Sequence, residues 1–495
     1  MAAYSPPFVN PTAEIVQQAD PDRLALLSLG YGGERRQWSF ADVAEFSSRF
    51  GGWLQSNGVA QGDTVMTVLG SRPEWVLAML GIWRIGAVAL PCHSSLRPHD
   101  LDLRIKAAQP ALILCEASTA EAVRAASPDC LVVELGCEHL DPDAPSDPFH
   151  AKPSEIADLA PDDPAVVIFT SGTTAGPTGI VHGVRWLAGQ EVQAHSWFGA
   201  PVGSLAWCTA APGWSKSARN VFLAPWICGA SALIHDAPFD ADQRLEVLQN
   251  ERVGALCQAP TEYRVIAARL EIPPLADLTS MVAAGEALDP EVIERFRNAT
   301  GLTIRDGYGQ TETGHLTGVG PDDDCPAGSM GKALPGIDLW IDQGELVVDP
   351  TSVPTFFLRT LDGEPAPMDK PWRTGDLVRE RNGFLFFEGR DDDIISSSGY
   401  RIGPFEVESA MGTHPAVAEC AAVAAPDRER GSVVRAVVVL RDGFSPSDAL
   451  AVELGDHVKQ VTAPYKYPRI VDFVDELPKT SSGKIRRSVL RGESA

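Results

Sequence analysis

Segments typical of helices and of strands alternate through the first 340 residues, and this alternation limits the possible folds more than any other feature. The short apolar runs ALILC (111–115) and LVVEL (131–135) are typical of buried strands. A helix is predicted from Pro290, with Asp289 as its cap, to a stop at Gly301. Alternating strands and helices predict an α/β fold built in layers.

The predicted secondary structure changes after residue 340. Short strands and turns follow, such as GELVV (344–348) and GFLFFEGR (383–390), and a compact α+β tail begins beyond GRDDDII. At 495 residues the chain is also too long for one ordinary core. We therefore predict an N-terminal domain of residues 1–391 and a C-terminal domain of residues 392–495.

Charge and composition exclude several classes of partner. The formal net charge of −25 argues against binding to nucleic acid or to an anionic membrane. The most apolar stretch, 75–91, is interrupted by Arg84 and Gly86, which favours a buried helix followed by a strand over a membrane span. Nine cysteines without a C-x-x-C pair, and an N-terminus without signal-peptide features, predict a cytoplasmic location.

The stretch IFTSGTTAGPTG (168–179) has the composition of a phosphate-binding loop. Its glycines allow successive backbone N–H groups to turn inward, and its hydroxyls add donors for anionic oxygens. It is not a Walker A loop, because no Gly-Lys-Ser/Thr closes it. Alone, such a stretch is more often a surface turn, so phosphate binding depends on the rest of the chain.

Further stretches strengthen the phosphate hypothesis. RDGYGQTETG (305–314) contains the carboxylate of Glu312, and a single carboxylate beside a phosphate is a natural Mg²⁺ ligand. AAGEAL (283–288) is a turn of small residues against which a flat ring could lie. WRTGDL (372–377) sets Asp376 behind a glycine turn, where it could accept hydrogen bonds from two sugar hydroxyls. Each stretch, taken singly, also has an ordinary interpretation as a loop or a helix cap.

Two more stretches lie in or beside the predicted C-terminal domain. FEGRDDDIISSSGYRIGPFEVE (387–408) combines an arginine, three aspartates and three serines at the predicted boundary, and LPKTSSGKIRR (477–487) places lysines in a segment rich in glycine and serine. Their ordinary interpretations are a solvated turn and a basic tail.

In this order and at these separations, the motifs resemble those of the adenylate-forming superfamily of acyl-CoA synthetases, amino-acid adenylation domains and luciferases. The resemblance extends from about residue 35 to residue 490. PGWSKSARNVFLAPWICGA (212–230), SSGYRIGPFEVE (397–408) and HVKQVTAPYKYPR (457–469) resemble the medium-chain acyl-CoA synthetase and benzoate–CoA ligase branch most. The resemblance implies a large multi-layered adenylating domain, a small mobile α+β domain and an active site between them.

The resemblance also implies roles for individual residues. ATP-binding residues would be Thr170, Ser171, Gly172, Thr173, Thr174, Gly285, Glu286, Ala287, Asp306, Gly307, Tyr308, Gly309, Gln310, Thr311, Asp376, Arg390, Arg401 and Lys484. The residues with catalytic roles would be Thr311 at the α-phosphate, Glu312 on Mg²⁺, Arg390 near the ribose and Lys484 bridging the substrate carboxylate and the α-phosphate. The acid would contact Trp214, Gly285, Tyr308 and Gly309. CoA would contact Ser398, Gly399, Tyr400, Arg430 and Lys459, and the hinge would be Asp392.

The implied function is an ATP-dependent acid–CoA ligase that acts on a medium-chain or aromatic carboxylate. An alternative keeps adenylation but transfers a small acid, such as nitrite, to an amine. A nucleotide-binding pseudoenzyme is a third hypothesis, opposed by the presence of Lys484, Glu312, Asp376 and Arg390. Ala175 and Thr178 stand where the family usually has glycine and lysine, which predicts a weaker hold on ATP and pyrophosphate.

Overall fold

The computed structural model of the protein describes residues 10, 12–30, 32–140, 148–170, 178–286, 288, 290–390, 393, 395–397, 400–427, 431–462, 466–479 and 484–492. Within these ranges, no helix is both long and apolar enough to cross a membrane.

Strands make up much of the described chain. In chain order they are β1 (Leu24–Gly30), β2 (Arg35–Ser39), β3 (Thr64–Val68), β4 (Val88–Cys92), β5 (Leu112–Cys115), β6 (Leu131–Glu134), β7 (Pro164–Thr170), β8 (Thr178–Gly183), β9 (Leu205–Cys208), β10 (Ser231–Asp236), β11 (Ala255–Gln258), β12 (Ser280–Ala284), β13 (Ile304–Gln310), β14 (Gly314–Gly318), β15 (Lys332–Ala333), β16 (Leu339–Asp342), β17 (Glu345–Val348), β18 (Arg359–Thr360), β19 (Trp372–Arg381), β20 (Phe384–Arg390), β21 (Ile395–Ser397), β22 (Tyr400–Ile402), β23 (Val417–Asp427), β24 (Gly431–Leu440) and β25 (Ile470–Phe473).

Helices connect many of these strands. The α-helices are α1 (Phe40–Ser56), α2 (Pro73–Arg84), α3 (Pro98–Ala108), α4 (Ala117–Ala125), α5 (Val184–Ala188), α6 (Gln190–Gln193), α7 (Ala224–Ile227), α8 (Ala241–Asn250), α9 (Pro260–Arg269), α10 (Pro290–Thr300), α11 (Pro404–Gly412), α12 (Asp448–Val461) and α13 (Arg487–Arg491). The segments Ala13–Gln17, Ala194–Phe198 and Arg219–Leu223 are π-helical turns.

A seven-stranded sheet has the order β18-β8-β7-β4-β3-β5-β6. The apolar stretch 75–91 forms most of α2 and the start of β4, and every α2 residue from Glu74 to Arg84 is buried, which confirms the prediction of a buried helix followed by a strand. The prediction that LVVEL forms a buried strand is wrong. Among the described strands, β6 lies at the edge of the sheet and has β5 as its single partner, so Leu131 remains 47% exposed.

A nine-stranded sheet has the order β15-β14-β13-β12-β11-β9-β10-β1-β2. Strands β9, β11, β12 and β13 are parallel, so their carboxyl ends meet at one edge, where ligands of α/β proteins usually bind. Helix α10 runs from Pro290 to Thr300, and Gly301 follows it with a φ of +76°, as the sequence predicts. The predicted cap, Asp289, lies outside the described residues.

Two smaller sheets follow in the chain. Strands β16, β17, β19 and β20 form an antiparallel sheet, which confirms the strands predicted at GELVV and GFLFFEGR. Strands β21–β25 form a second small sheet, which packs with α11 and α12 around its own core, including Val407, Ala436 and Leu454. The α/β fold with a large N-terminal and a small C-terminal part is confirmed. The predicted boundary, at residues 391 and 392, lies outside the described residues.

Candidate active site

A lysine packs against the turn after β12, which is predicted to receive adenine. Lys216 Nζ donates a hydrogen bond of 2.7 Å to the carbonyl oxygen of Ala284, the last residue of β12. Gly285 follows with a φ of +101°, a conformation that favours glycine, and a Cβ there would lie 3.1 Å from Lys216 Nζ. A glycine at 285 therefore leaves room for both the turn and the lysine.

Glu286 lies in the same turn, but its carboxylate is held by helix α9. It accepts hydrogen bonds from Thr261 Oγ1 at 2.6 Å and from Arg264 Nη2 at 2.7 Å. These contacts fix the turn against α9. Ala287, also predicted to contact adenine, lies outside the described residues.

Asp306 is buried and is the third residue of β13. Its Oδ1 accepts the backbone N–H of Gly307 at 2.8 Å, and burial raises the pKa of its carboxyl to about 8, although that hydrogen bond and the charge of Lys216 act in the opposite direction. The carboxyl is therefore mostly protonated at neutral pH, and a protonated carboxyl can donate a hydrogen bond as well as accept one.

The predicted ribose ligand, Asp376, is oriented by two residues of β13. The phenol of Tyr308 donates a hydrogen bond to Asp376 Oδ2, and Gln310 Nε2 donates to the same oxygen at 2.8 Å. The Gln310 amide also donates to the carbonyl oxygen of Thr374 at 2.7 Å and accepts from Trp372 Nε1 at 3.1 Å. Gln310 thus acts on the site through Asp376.

Arg390 is the cross-strand partner of Asp376 in the β19–β20 pair. Its Nη1 lies 3.5 Å from Asp376 Oδ1, and its side chain is 43% exposed, so the contact between them is loose. Burial raises the pKa of Asp376, and hydrogen bonding from Tyr308 together with the charge of Arg390 partly offsets this rise.

Glu312, the predicted Mg²⁺ ligand, lies in the turn between β13 and β14. Burial raises the pKa of its carboxyl, and the cations Arg390 and Lys484 act in the opposite direction. Within the described ranges, no group of three metal-ligating side chains forms a dedicated metal site. A single half-buried carboxylate nevertheless fits Mg²⁺, which is usually held by one or two carboxylates together with substrate phosphates and waters.

The strands on either side of the predicted phosphate loop are paired. Strands β7 and β8 are antiparallel and pair Thr170 with Thr178, whereas the predicted loop residues Ser171, Gly172, Thr173 and Thr174 lie outside the described residues. A later segment connects this hairpin to the Glu312 turn. Leu358 N donates to Val181 O at 2.8 Å, and Phe357 N donates to Glu312 O at 2.9 Å. The base of the hairpin and the predicted Mg²⁺ ligand are therefore held by one segment.

Lys484 approaches this site from the C-terminal part of the chain. Its charge acts on the carboxyls of Glu312 and Asp376, so the three groups lie near one another. Although Lys484 keeps contact with solvent, the surrounding protein lowers the pKa of its ammonium, and the neighbouring cation Lys216 lowers it further.

The segment that carries Lys484 is anchored on both sides. Lys479 and Ile485 form an isolated antiparallel bridge. Beyond the lysine, Arg487 Nη2 donates to both carboxylate oxygens of Glu408 at 2.7 and 2.8 Å. The position of Lys484 therefore depends on the packing of the small C-terminal sheet.

The other predicted substrate contacts lie in two places. Gly309 is packed so tightly that a Cβ there would lie 1.9 Å from the carbonyl oxygen of Gly314. Trp214 packs against His93, with ring centroids 5.5 Å apart, in the loop that also carries Lys216. Thr311 is half-buried beside Glu312.

Of the predicted CoA contacts, Lys459 is the one whose side chain the structure describes. Lys459 pairs with Asp456 at 2.6 Å, and its ammonium lies 4.2 Å from the ring centroid of Tyr467. Ser398, Gly399, Arg430 and the predicted hinge Asp392 lie outside the described residues, as do the side chains of Tyr400 and Arg401.

Lys216 is the residue that sequence reasoning missed. Its charge acts on Asp306 and on Lys484, which places it between the nucleotide side of the site and the C-terminal lysine. The sequence signal was a single cation two residues after the predicted acid-binding Trp214. Its hydrogen bond to Ala284 joins segments 68 residues apart, which no local pattern reveals.

Comparison with known proteins identifies the family. The profile of the AMP-binding enzyme family matches residues 14–354, and that of the AMP-binding enzyme C-terminal domain matches residues 406–484. The chain is 38% identical over 491 residues to the uncharacterized acyl–CoA ligase YtcI of Bacillus subtilis strain 168, covering 95% of this chain and 93% of that protein. It is 35% identical over 490 residues to the mitochondrial acyl-coenzyme A synthetase ACSM3 of Mus musculus, covering 93% of this chain and 84% of that protein.

A solved structure agrees with these relatives. A benzoate CoA ligase from Burkholderia xenovorans LB400 superposes with a TM-score of 0.86 at 26% identity, covering 98% of this chain and 100% of that one. The chain belongs to the AMP-binding enzyme family, the adenylate-forming enzymes. Within that family it is an AMP-forming ligase of the acyl-CoA synthetase type.

Proposed function

We propose that the protein activates a medium-chain or aromatic carboxylic acid with ATP and transfers the acyl group to CoA. The observation that carries the proposal is the convergence of Lys484 with Glu312 and Asp376. That arrangement combines a cation, a carboxylate that could bind a metal and a carboxylate that could bind a sugar. These are the groups that an enzyme needs to hold ATP while the carboxylate of the substrate attacks its α-phosphate.

In the first half-reaction, the ribose hydroxyls donate to Asp376, whose orientation is fixed by Tyr308 and Gln310. An oxygen of the acid attacks the α-phosphorus, the bond to the bridging oxygen breaks, and pyrophosphate leaves with the electron pair. Lys484 contacts both reactants and offsets the charge that develops on the phosphoryl oxygens. Glu312 would hold Mg²⁺, which supplies further charge neutralisation for the phosphates.

In the second half-reaction, the thiol of CoA attacks the acyl carbon of the adenylate, and AMP leaves. We propose that the C-terminal part, residues 392–495, rotates about Asp392 between the two steps. Lys484 would then leave the active site, and the segment around Gly399 would take its place there. Ser398, Gly399 and Tyr400 would then line the pantetheine path, with Arg430 and Lys459 near the CoA phosphates. Rotation of a small domain is a common way to use one site for two reactions.

The alternative acceptor, an amine, is not favoured. YtcI is named as an acyl–CoA ligase and ACSM3 as an acyl-coenzyme A synthetase, and both match nearly the whole chain. The cytoplasmic location expected from the sequence remains a prediction.

A panel of acids tests the proposal. Pyrophosphate release is measured for each acid with and without CoA, and thioester is quantified in parallel. We expect acid-dependent pyrophosphate release and stoichiometric thioester with the best acid. If the best acid releases pyrophosphate but CoA is never consumed, the acceptor is wrong and an amine takes its place.

A further inference from the structure

Arg219 is a buried cation without a hydrogen-bonding partner among the described residues. It is 5% exposed and begins the π-helical turn Arg219–Leu223, a type of turn that occurs frequently at functional sites. Its Nε and Nη1 are buried and have no acceptor within the described ranges. A buried charge normally requires a partner, because its desolvation is costly.

Among the described residues, no carboxylate pairs with Arg219. The thiols of Cys208 and Cys257, on paired strands β9 and β11, are the described groups whose charge could act on it. The charge of Arg219 also acts on the imidazoles of His182 and His315, and both are neutral at physiological pH, because burial lowers the pKa of His182 to about 3 and that of His315 well below its usual value.

Other buried hydrogen-bonding groups of the described chain are also unsatisfied. Asn220 Oδ1 accepts from Gln193 Nε2 at 3.1 Å, but Asn220 Nδ2 has no acceptor among the described residues. Within the same ranges, Trp197 Nε1 and both polar atoms of the Gln258 amide lack partners as well. Buried polar groups in folded proteins are nearly always paired, so the unpaired donors of the adjacent residues Arg219 and Asn220 indicate a missing ligand that carries acceptors.

Arg219 also has a defined position relative to the reacting end of the acid. Lys216 lies three residues before it, where the helical segment begins, and Asn220 N donates to Lys216 O at 3.3 Å. The charges of both cations act on Cys257. Lys216 lies beside Gly285 and near Lys484, where the reacting carboxylate is proposed to bind. Arg219 therefore lies about one helical turn along the chain from the lysine beside the proposed carboxylate end.

We infer that Arg219 binds a second carboxylate at the distal end of the substrate, so that the preferred acid is a dicarboxylic acid with an alkyl or aromatic spacer. This inference rests on the proposed acid-activating function and narrows its substrate class. The reacting carboxylate lies at Lys484 and the distal one at Arg219, where Asn220 adds a neutral donor. Bidentate pairing with a carboxylate is the geometry that a guanidinium favours.

The test compares matched acids: hexanedioate with hexanoate, octanedioate with octanoate, and benzene-1,4-dicarboxylate with benzoate. Pyrophosphate release gives kcat/KM for each acid in the wild type, in Arg219→Met and in Arg219→Lys. The wild type should prefer the best diacid over its monoacid by at least about tenfold, because a charge-assisted hydrogen bond contributes that much to binding. Arg219→Met should reverse the preference, and Arg219→Lys should retain part of it.

The control is Arg252→Met, which removes an exposed arginine paired with Asp277 at 2.9 Å and should leave the ratio unchanged. Thermal melting checks folding, and Arg219→Met should melt no lower than the wild type, because it removes a buried charge that lacks an acceptor. A wild-type preference for monoacids would overturn the inference, and so would a diacid preference that survives in Arg219→Met. Thioester formation is scored separately, so a diacid preference without thioester would overturn the CoA ligase proposal and leave Arg219 as the acid-binding residue.

Discussion

The two sides of the candidate site are built in different ways. On the nucleotide side, Asp376 is 5% exposed, is oriented by donors from Tyr308 and Gln310, and lies in a strand paired on both sides, with β17 and β20. On the other side, Lys484 lies in an exposed segment that is attached through the Lys479–Ile485 bridge and through Arg487. The first side, around Asp376, is held within a sheet, and we call it the fixed side. The second side, Lys484 and its segment, belongs to the small C-terminal part that we propose to rotate, and we call it the delivered side.

This contrast explains how one site could serve two reactions. Groups that hold the nucleotide in both steps benefit from a rigid frame, because preorganised partners cost no reorganisation when the reaction occurs. A cation needed only for adenylation can be carried by a part that leaves afterwards. We therefore expect damage to the fixed side to weaken both half-reactions, and damage to the delivered side to affect one.

The largest effect is expected for Lys484→Ala. Loss of the cation that we propose to contact both reactants should reduce acid-dependent exchange between ATP and pyrophosphate by several orders of magnitude. With a synthetic acyl-adenylate and CoA, the variant should still form thioester at a substantial rate. The matched control is Lys479→Ala, on the same segment, which removes an ion pair with Glu419 and should leave exchange near the wild-type rate. If Lys484→Ala retained near-normal exchange, Lys484 would have no catalytic role and would be an ordinary lysine of a basic tail.

A smaller but broader effect is expected for Asp376→Asn. The substitution removes the charge that accepts from two donors and from the ribose, so kcat/KM for ATP should fall by about 10- to 100-fold. Thioester formation from a supplied adenylate should fall as well, since we propose that the same carboxylate holds the AMP moiety in both steps. Asp342→Asn, at an exposed pair with Arg373, serves as the control. If Asp376→Asn impaired adenylation alone, the fixed side would not be shared between the two half-reactions.

Much of the fixed side could be predicted from the sequence, because its residues lie within short motifs. Asp306, Tyr308 and Glu312 follow one another at the end of β13 and in the turn after it. The partners of these residues were not predictable. Gln310 reaches Asp376 across 66 residues, and Lys216 reaches Ala284 across 68, and such contacts depend on how distant strands are arranged. The edge position of β6 was missed for the same reason.

The delivered side was predicted through resemblance more than through local pattern. Lys484 stands in a segment whose composition alone indicates a basic tail, and its approach to Glu312 depends on the placement of the whole C-terminal sheet. Arg219 was unpredictable in another way. The residues that follow it are apolar, and only the packed structure reveals that its described neighbours include no carboxylate to pair with the guanidinium.

A moderate effect is expected at the proposed CoA surface of the delivered side. Arg430→Ala combined with Lys459→Ala should raise the KM for CoA by roughly tenfold or more, if each phosphate contact is worth about 1 kcal/mol. Exchange between ATP and pyrophosphate should not change, because CoA takes no part in it. Lys466→Ala, in the segment after α12, provides a lysine control. An unchanged KM for CoA would remove these two residues from the acceptor site.

The smallest effect concerns the buried carboxyl on the fixed side. Because burial raises the pKa of Asp306 to about 8, the folded protein keeps a proton that the unfolded chain loses near the ordinary aspartate value. The free energy of unfolding that this proton contributes is full below the ordinary value and is lost progressively as the pH rises through about 8. Asp306→Asn resembles the protonated carboxyl and can still accept the Gly307 N–H, so it should remove this part of the pH dependence.

Melting temperatures without nucleotide, measured between pH 4 and pH 9, provide the test. The gap between Asp306→Asn and the wild type should be smallest at the acidic end and should widen up to about pH 8, with the variant melting higher by about 2–4 °C for each 1 kcal/mol gained. Burial also raises the pKa of Glu312 and of Asp376, so both carboxyls make the folded protein less stable as the pH rises. The informative quantity is therefore the difference between the melting curve of the wild type and that of Asp306→Asn. Asp322→Asn, at an exposed position, should follow the wild type throughout. Parallel curves for the wild type and Asp306→Asn would mean that Asp306 ionises normally and that this carboxyl is charged at neutral pH.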